Sequence, residues 1–255
     1  MASVTGGRVE PLHKGFAPFH KWDRNAVLTL VGLIWLGIAM GFGGDIVHHL
    51  KTHEAAYPLI VHFHAVAFVG WPVLLTTQVL LIRTNRWEIH RKLGFAALGL
   101  AAIMIVLGPA TALTADALAF TRTGEPPTFL AIQFTDILAF AGLVGAGFLL
   151  RADASAHKRL MLLAALYISD AGFARWLGDS IQHVTGAGYW PMIAQLYLAN
   201  TALMLALGGY DLVTRRRLHP AYVVGLAWVF ANELTAVAVF FNPAWTPISL
   251  KLIGH

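Results

Sequence analysis

The 255-residue sequence predicts an all-α fold, a polytopic membrane bundle of seven transmembrane helices. Three observations lead there. Hydrophobic residues make up 57% of the chain and charged residues only 12%, a balance outside the range of soluble domains. The apolar residues gather into seven stretches, each close to the roughly 20 residues that cross a bilayer. Lys and Arg gather in alternate connections between those stretches, as the positive-inside rule requires.

The elements follow in order. Residues 1–25 are expected to form a cytoplasmic N-terminal segment, with Arg8, Lys14, Lys21 and Arg24 interleaved with Phe16, Phe19 and Trp22. The segment lacks the compact apolar run and small-residue cleavage site of a signal peptide, so the first helix is expected to stay attached. The seven-helix transmembrane domain is expected over 26–241, with spans near 26–44, 59–82, 93–116, 128–150, 160–182, 191–213 and 221–241. Residues 242–255 remain as a short periplasmic tail.

Orientation follows from the cations. Arg83, Arg86, Arg91 and Lys92, then Arg151, Lys158 and Arg159, then Arg215, Arg216 and Arg217 fall on the same side as the N-terminal segment. The other side has Lys51, Arg122 and Lys251. Short loops rich in Lys and Arg stay in the cytoplasm, which puts the N-terminus inside and the C-terminus in the periplasm. The net charge of +5 is therefore a topology signal facing anionic lipid, and no nucleic-acid partner is expected. The expected location is the inner membrane of a bacterium, multi-pass, with the lipid bilayer as first partner. Little mass lies outside the spans, which leaves room for membrane-complex subunits or a homo-oligomer.

Helices two to seven read as three repeated hairpins. Gln133 to His157 and Gln195 to His219 both span 24 residues, and His64 to His90 spans 26. Each hairpin turns at a cytoplasmic loop ending in His, within "IHRKLG", "AHKRLM" and "RLHPAY".

Ionisable groups in hydrocarbon cost several kcal/mol unless paired or hydrated, so each is a functional candidate. On helices running inward, His64, Asp136 and Asn200 fall about five to nine residues below the outer surface. On helices running outward, Asp170, Arg175 and Glu233 sit at or beyond the middle. These six are expected to share an outward-facing polar pocket. Packing between helices is the plainer use of the same acids, and interhelical hydrogen bonding the plainer use of Gln133, Gln195 and Asn232. Arg175 and Asp179, four apart, are spaced to pair on one helix face. Asp170 lies about 140° from Arg175, so its partner is expected on another helix.

The histidines divide by depth. His64, Trp71 and Gln78 recur every seven residues and mark the bundle-facing stripe of the second helix. His62 lies about 200° from that line and belongs nearer the rim. His62, His64 and His183, with His48, His49 and His53 in the outer loop, are candidate ligands for Zn, Cu or Fe, or rim histidines and nothing more. His90 and His157 begin the third and fifth helices at matched depth. Each precedes a basic pair, with Arg91 and Lys158 first. Two facing imidazoles with cations nearby suit haem b, and contact with lipid phosphate suits them equally.

The stretches "HRKLG" and "HKRLMLLA" resemble uncharacterised bacterial multi-helix inner-membrane proteins, in which a His near the outer end of one helix is followed by a basic loop and His-Arg-x-Leu-Gly. That pattern is also similar to cytochrome-b and ferric-reductase membrane domains. The resemblance covers helices two to five and implies roles for His64, Gln78, His90, Arg91, His157, Lys158, Arg159, Asp170 and Arg175.

Some classes are excluded. The chain has no Cys, which removes disulfides, thiolate metal sites and thiol nucleophiles. None of the six Lys residues falls within a span, so a retinal Schiff base has no anchor. No span holds the His-x-x-x-His pair of seven-helix zinc hydrolases. Three classes remain open, and none of them settles whether the chain is an enzyme: a haem- or metal-binding redox or accessory protein, a proton-coupled small-molecule transporter or receptor, and a structural subunit.

Overall fold

The computed structural model describes residues 16–52 and 57–255. Arg8, Lys14 and His53 lie outside the described residues. The described chain is all-helical: α1 (Asp23–Thr52), α2 (Leu59–Arg83), α3 (Trp87–Thr123), α4 (Leu130–Leu149), α5 (Ala154–Ile168), α6 (Asp170–Thr185), α7 (Tyr189–Arg215), α8 (Pro220–Phe240) and α9 (Trp245–Leu252). Six of these helices are long and apolar enough to cross a membrane, and α5 with α6 makes a seventh span if the bent pair counts as one. This is a multi-pass membrane protein by helix length and hydropathy. Val66, Val106, Val213 and Val224, each more than two-thirds exposed, belong to the surface that lipid covers.

α5 is the centre of the bundle. It packs against α2, α4, α6, α7 and α8, and Leu162 to Tyr167 are buried without interruption. That stretch is apolar on every side, and such a stretch is stable only when enclosed, as this one is. α6 leaves that axis to pack between α1 and α7.

The fifth span is therefore not the single helix expected over 160–182. It is broken at Ser169 and bent by 48°. No proline is involved. The Ser169 hydroxyl donates to the Leu166 carbonyl at 2.6 Å, and the Asp170 carboxylate accepts the Ala171 N–H at 2.6 Å. Both side chains offer the backbone partners that compete with the helical ladder. Beyond the break, α6 meets α1 backbone to backbone. A Cβ on Gly172 would stand 2.8 Å from the Gly37 carbonyl oxygen, and Gly37 and Gly41 form the small-xxx-small pattern that permits such an approach.

Two prolines lie in span interiors, Pro72 in α2 and Pro109 in α3, whereas Pro191 and Pro220 sit in the first turns of α7 and α8. Each interior proline removes one N–H from the ladder. Near the first, Thr76 donates to the Pro72 carbonyl at 2.6 Å and accepts from Trp35 Nε1 at 3.0 Å, which ties α1 to α2. The segment 242–255, expected as a plain tail, carries α9. Trp245 Nε1 donates to the Thr128 carbonyl at 2.9 Å and so docks it on the start of α4.

Candidate functional site

The polar centre of the bundle is built around Asp136 on α4. Its Oδ1 accepts from the Tyr167 hydroxyl on α5 at 2.7 Å and from the Tyr197 hydroxyl on α7 at 3.1 Å. The two rings stack with centroids 6.2 Å apart and planes 10° from parallel. Asp170, the first residue of α6, is a hydrogen-bonding neighbour of the same carboxyl group. A hydrogen bond between two carboxyl groups forms only when one of them carries the proton. Glu233 on α8 is 3% exposed and is an electrostatic neighbour of Asp136, with the Thr201 side chain of α7 nearby. Asn200, the residue before Thr201, is wholly buried. Glu233 Oε1 and both amide atoms of Asn200 lack a hydrogen-bond partner.

Asp136, Asp170 and Glu233 thus come together, joined from α7 by Tyr197 and Thr201. His64 and Arg175 are neighbours of each other. His64 stacks on Phe68 with centroids 3.9 Å apart. The Arg175 guanidinium donates to the Ala171 carbonyl at 2.9 Å and lies 4.6 Å from the Phe42 ring centroid. His62 and His183 are exposed. Among the described residues no group of three or more His, Asp or Glu is arranged to hold a metal ion.

At the opposite end of α5, His90 and His157 are adjacent, with ring centroids 6.3 Å apart and planes at 85°. His157 Nδ1 is 2.8 Å from the Gly147 carbonyl oxygen, which leaves Nε2 as the other ring nitrogen. Gln78 donates to the His90 backbone carbonyl at 3.2 Å, and His90 Nδ1 is buried without a partner. Arg91 is exposed. Lys158 Nζ lies 2.7 Å from Asp23 Oδ2.

That last contact belongs to an ionic network that ties α1, α5 and α7 at this end. Arg159 is 1% exposed and makes two 2.6 Å hydrogen bonds to Asp211, one to each carboxylate oxygen. Arg215 reaches Asp23 at 2.7 Å and Asp211 at 3.3 Å, and the Tyr210 hydroxyl donates to Asp23 at 2.6 Å. Phe16 lies under both guanidinium groups, at 4.2 Å from Arg159 and 5.1 Å from Arg215. The network borders a void of about 10 Å³, about the size of one water.

His219, the last hairpin histidine, caps α8. Its Nδ1 accepts the Ala221 N–H at 3.1 Å, and its Nε2 lies 3.5 Å from Asp153. Burial pushes the His219 imidazole below its ordinary range, and the nearby Asp153 carboxylate only partly offsets that. Asp153 caps α5 by accepting from Ser155 and Ala156 at 2.8 and 3.1 Å. Slight burial raises its affinity for a proton, but those N–H donors and His219 outweigh it and hold the carboxyl below the usual carboxylate range.

Sequence reasoning missed Tyr167 and Tyr197. Both precede a polar residue of the same stretch by three positions, Asp170 and Asn200. They also lie deep in spans, whereas tyrosines of membrane helices favour the interface, and that departure was the available signal. Comparison with family models, curated proteins and solved structures returned no match.

Proposed function

We propose that this protein is a proton-coupled membrane carrier whose coupling group is the Asp136 and Asp170 carboxyl pair at the break between α5 and α6. The observation that supports it is the direct contact of two acids inside the bundle at a discontinuous helix. Broken spans with exposed half-helix ends are where carriers hold their coupling ions, and buried acids are the usual proton sites. With one proton between them the two carboxyls attract. Once it leaves, two like charges face each other and push α4 and α6 apart, with the break at Ser169 as the hinge. Orientation, with the basic end toward the cytoplasm of a bacterial inner membrane, and descent from three repeated hairpins belong to the same reading.

The test is an acid pulse applied outside proteoliposomes that hold a pH-sensitive dye. The parent acidifies the lumen faster than protein-free liposomes do, and Asp136→Asn and Asp170→Asn fall to the leak rate. Unchanged rates in both variants overturn the reading.

A second reading, haem b between His90 and His157, draws on their 6.3 Å separation and on the Gly147 carbonyl at His157 Nδ1, the kind of contact that orients a metal-bound imidazole. Lys158 is engaged by Asp23, so Arg91 is the cation left for a propionate. Bound haem would supply one-electron chemistry. A Soret band that shifts with dithionite and vanishes in His157→Ala supports this reading. Its absence from protein purified under haem-replete expression overturns it.

A further inference from the structure

We infer that the flank where α3 begins and α4 ends seats an anionic phospholipid, its headgroup phosphate held by Arg91 and Lys92 of one helix and by Arg151 beyond the other. The inference stands apart from the carrier reading. Its frame is a ring contact. Phe95 of α3 meets Phe148 of α4 edge to face, with centroids 5.7 Å apart. The Arg151 guanidinium lies 4.5 Å from the Phe148 ring centroid and donates to the Phe148 carbonyl at 3.1 Å. Arg91 stands one turn before Phe95 on the same helix. Cations from two segments thus border one aromatic pair, and the neighbouring His90 and His157 rings hold the same ends together.

Charge and shape select the occupant. Arg91, Lys92 and Arg151 are exposed, and among the described residues none of them enters an ion pair. Two acids lie near in sequence. Asp153 is engaged by the α5 cap and by His219, which leaves Glu88, one turn before Lys92, against three cations. Below the cations, Phe95, Gly99, Ala102 and Val106 continue the line of Arg91 within about 80° of the helix circumference, and all four are exposed. A Cβ on Gly99 would meet nothing within 4 Å. From Arg91 to Val106 this apolar face runs about 22 Å, longer than the roughly 15 Å of hydrocarbon in one leaflet. A soluble anion would use the cations alone, and a zwitterionic lipid carries its own cation beside the phosphate. An anionic phosphodiester with acyl chains matches both parts of the face.

Native mass spectrometry of the purified full chain, delipidated in neutral detergent and titrated with lipid, tests this. Phosphatidylglycerol is expected to bind about tenfold more tightly than phosphatidylcholine with the same acyl chains, a difference of about 1.4 kcal/mol. Arg91→Gln with Arg151→Gln should erase that preference and leave phosphatidylcholine binding unchanged. Arg216→Gln with Arg217→Gln removes the same charge from exposed positions just after α7 and should keep the preference. Glycerol phosphate, a headgroup without chains, should not displace the lipid at equal concentration. Equal binding of the two lipids by the parent overturns the inference, and that comparison needs no variant. A preference that survives Arg91→Gln with Arg151→Gln, or falls equally in both double variants, also overturns it, the latter by making the preference a property of the whole basic end. Displacement by glycerol phosphate would leave an anion site with no use for the α3 face, and would remove the lipid.

Discussion

Arg159 is the largest fully buried side chain among the described residues, and its partner Asp211 is equally enclosed. Removing one member of such a pair strands a charge, which costs more than removing both. Arg159→Met is expected to destabilise the protein by about 3 kcal/mol, the low end for a broken buried pair, because Arg215 still stands 3.3 Å from Asp211. Adding Asp211→Leu should recover most of that loss. Reversible unfolding in mixed micelles measures both, and equal losses in the single and double variants would mean that the pair contributes little. This network shows what single residues disclose. Asp136, Asp170 and Glu233 were legible as candidates because acids are rare in apolar stretches, whereas Asp211 was passed over although it stands four residues before Arg215, the spacing of a helical pair. The link from Asp23 to Lys158 crosses 135 positions, and no local pattern reports a contact of that range. Tyr167 and Tyr197 count as apolar in composition, and only their depth set them apart.

At the scale of elements, the spans were legible because their apolar length is set by the bilayer, whereas the break in the fifth was not, because side chains make it. Only the adjacent Ser169 and Asp170 hint at it. The crossing of α1 and α6 depends on glycine. Gly172→Ala would put a Cβ 2.8 Å from the Gly37 carbonyl and 3.1 Å from Ile38 Cα, and overpacking of this kind costs about 1–3 kcal/mol. Gly145→Ala in α4, with nothing within 4 Å of its Cβ, should be neutral or slightly stabilising. A thermal melt that finds the two equal would show that the close approach does not matter. Of the three hairpin histidines, His219 stood apart in sequence, followed by Pro220 with no basic pair, and it also differs in use, because it caps α8 while His90 and His157 meet each other. His219 has a pH signature. Its folded imidazole binds a proton less readily than the unfolded one, so the unfolded state takes up the proton first as pH falls, and stability drops below about pH 6.5. His219→Asn keeps an N-cap acceptor and should flatten that part of the melting-temperature profile. Asp153 acts in a separate window, with its contribution lost only at still lower pH, below the usual carboxylate range. A profile unchanged by His219→Asn would mean that another group titrates there.

For the whole molecule, the open question is whether α5 and α6 carry the chain across the membrane or back to the side it entered. Their lengths, 15 and 16 residues, correspond to about 22 Å and about 24 Å of helix. Bent by 48°, the second leg still advances about 16 Å along the first, for a total near 38 Å, which exceeds a hydrocarbon core of about 30 Å. A chain returning to its side of entry must reverse direction, and this bend falls well short of that. The pair is therefore expected to span, which places Ala152 and Ala187, both exposed, on opposite sides. The absence of Cys makes the test direct, because a single Ala152→Cys or Ala187→Cys is the only thiol present. A membrane-impermeant maleimide applied to spheroplasts should label Ala187→Cys at once and Ala152→Cys only after lysis, since the basic loops at Arg151 and Lys158 hold their end in the cytoplasm. Labelling of both from outside would make α5 and α6 a re-entrant pair and remove the seventh span. Reversed labelling would keep the span and invert the protein. Either result would relocate the acid pair relative to the proton source and change which face the proposed carrier opens first.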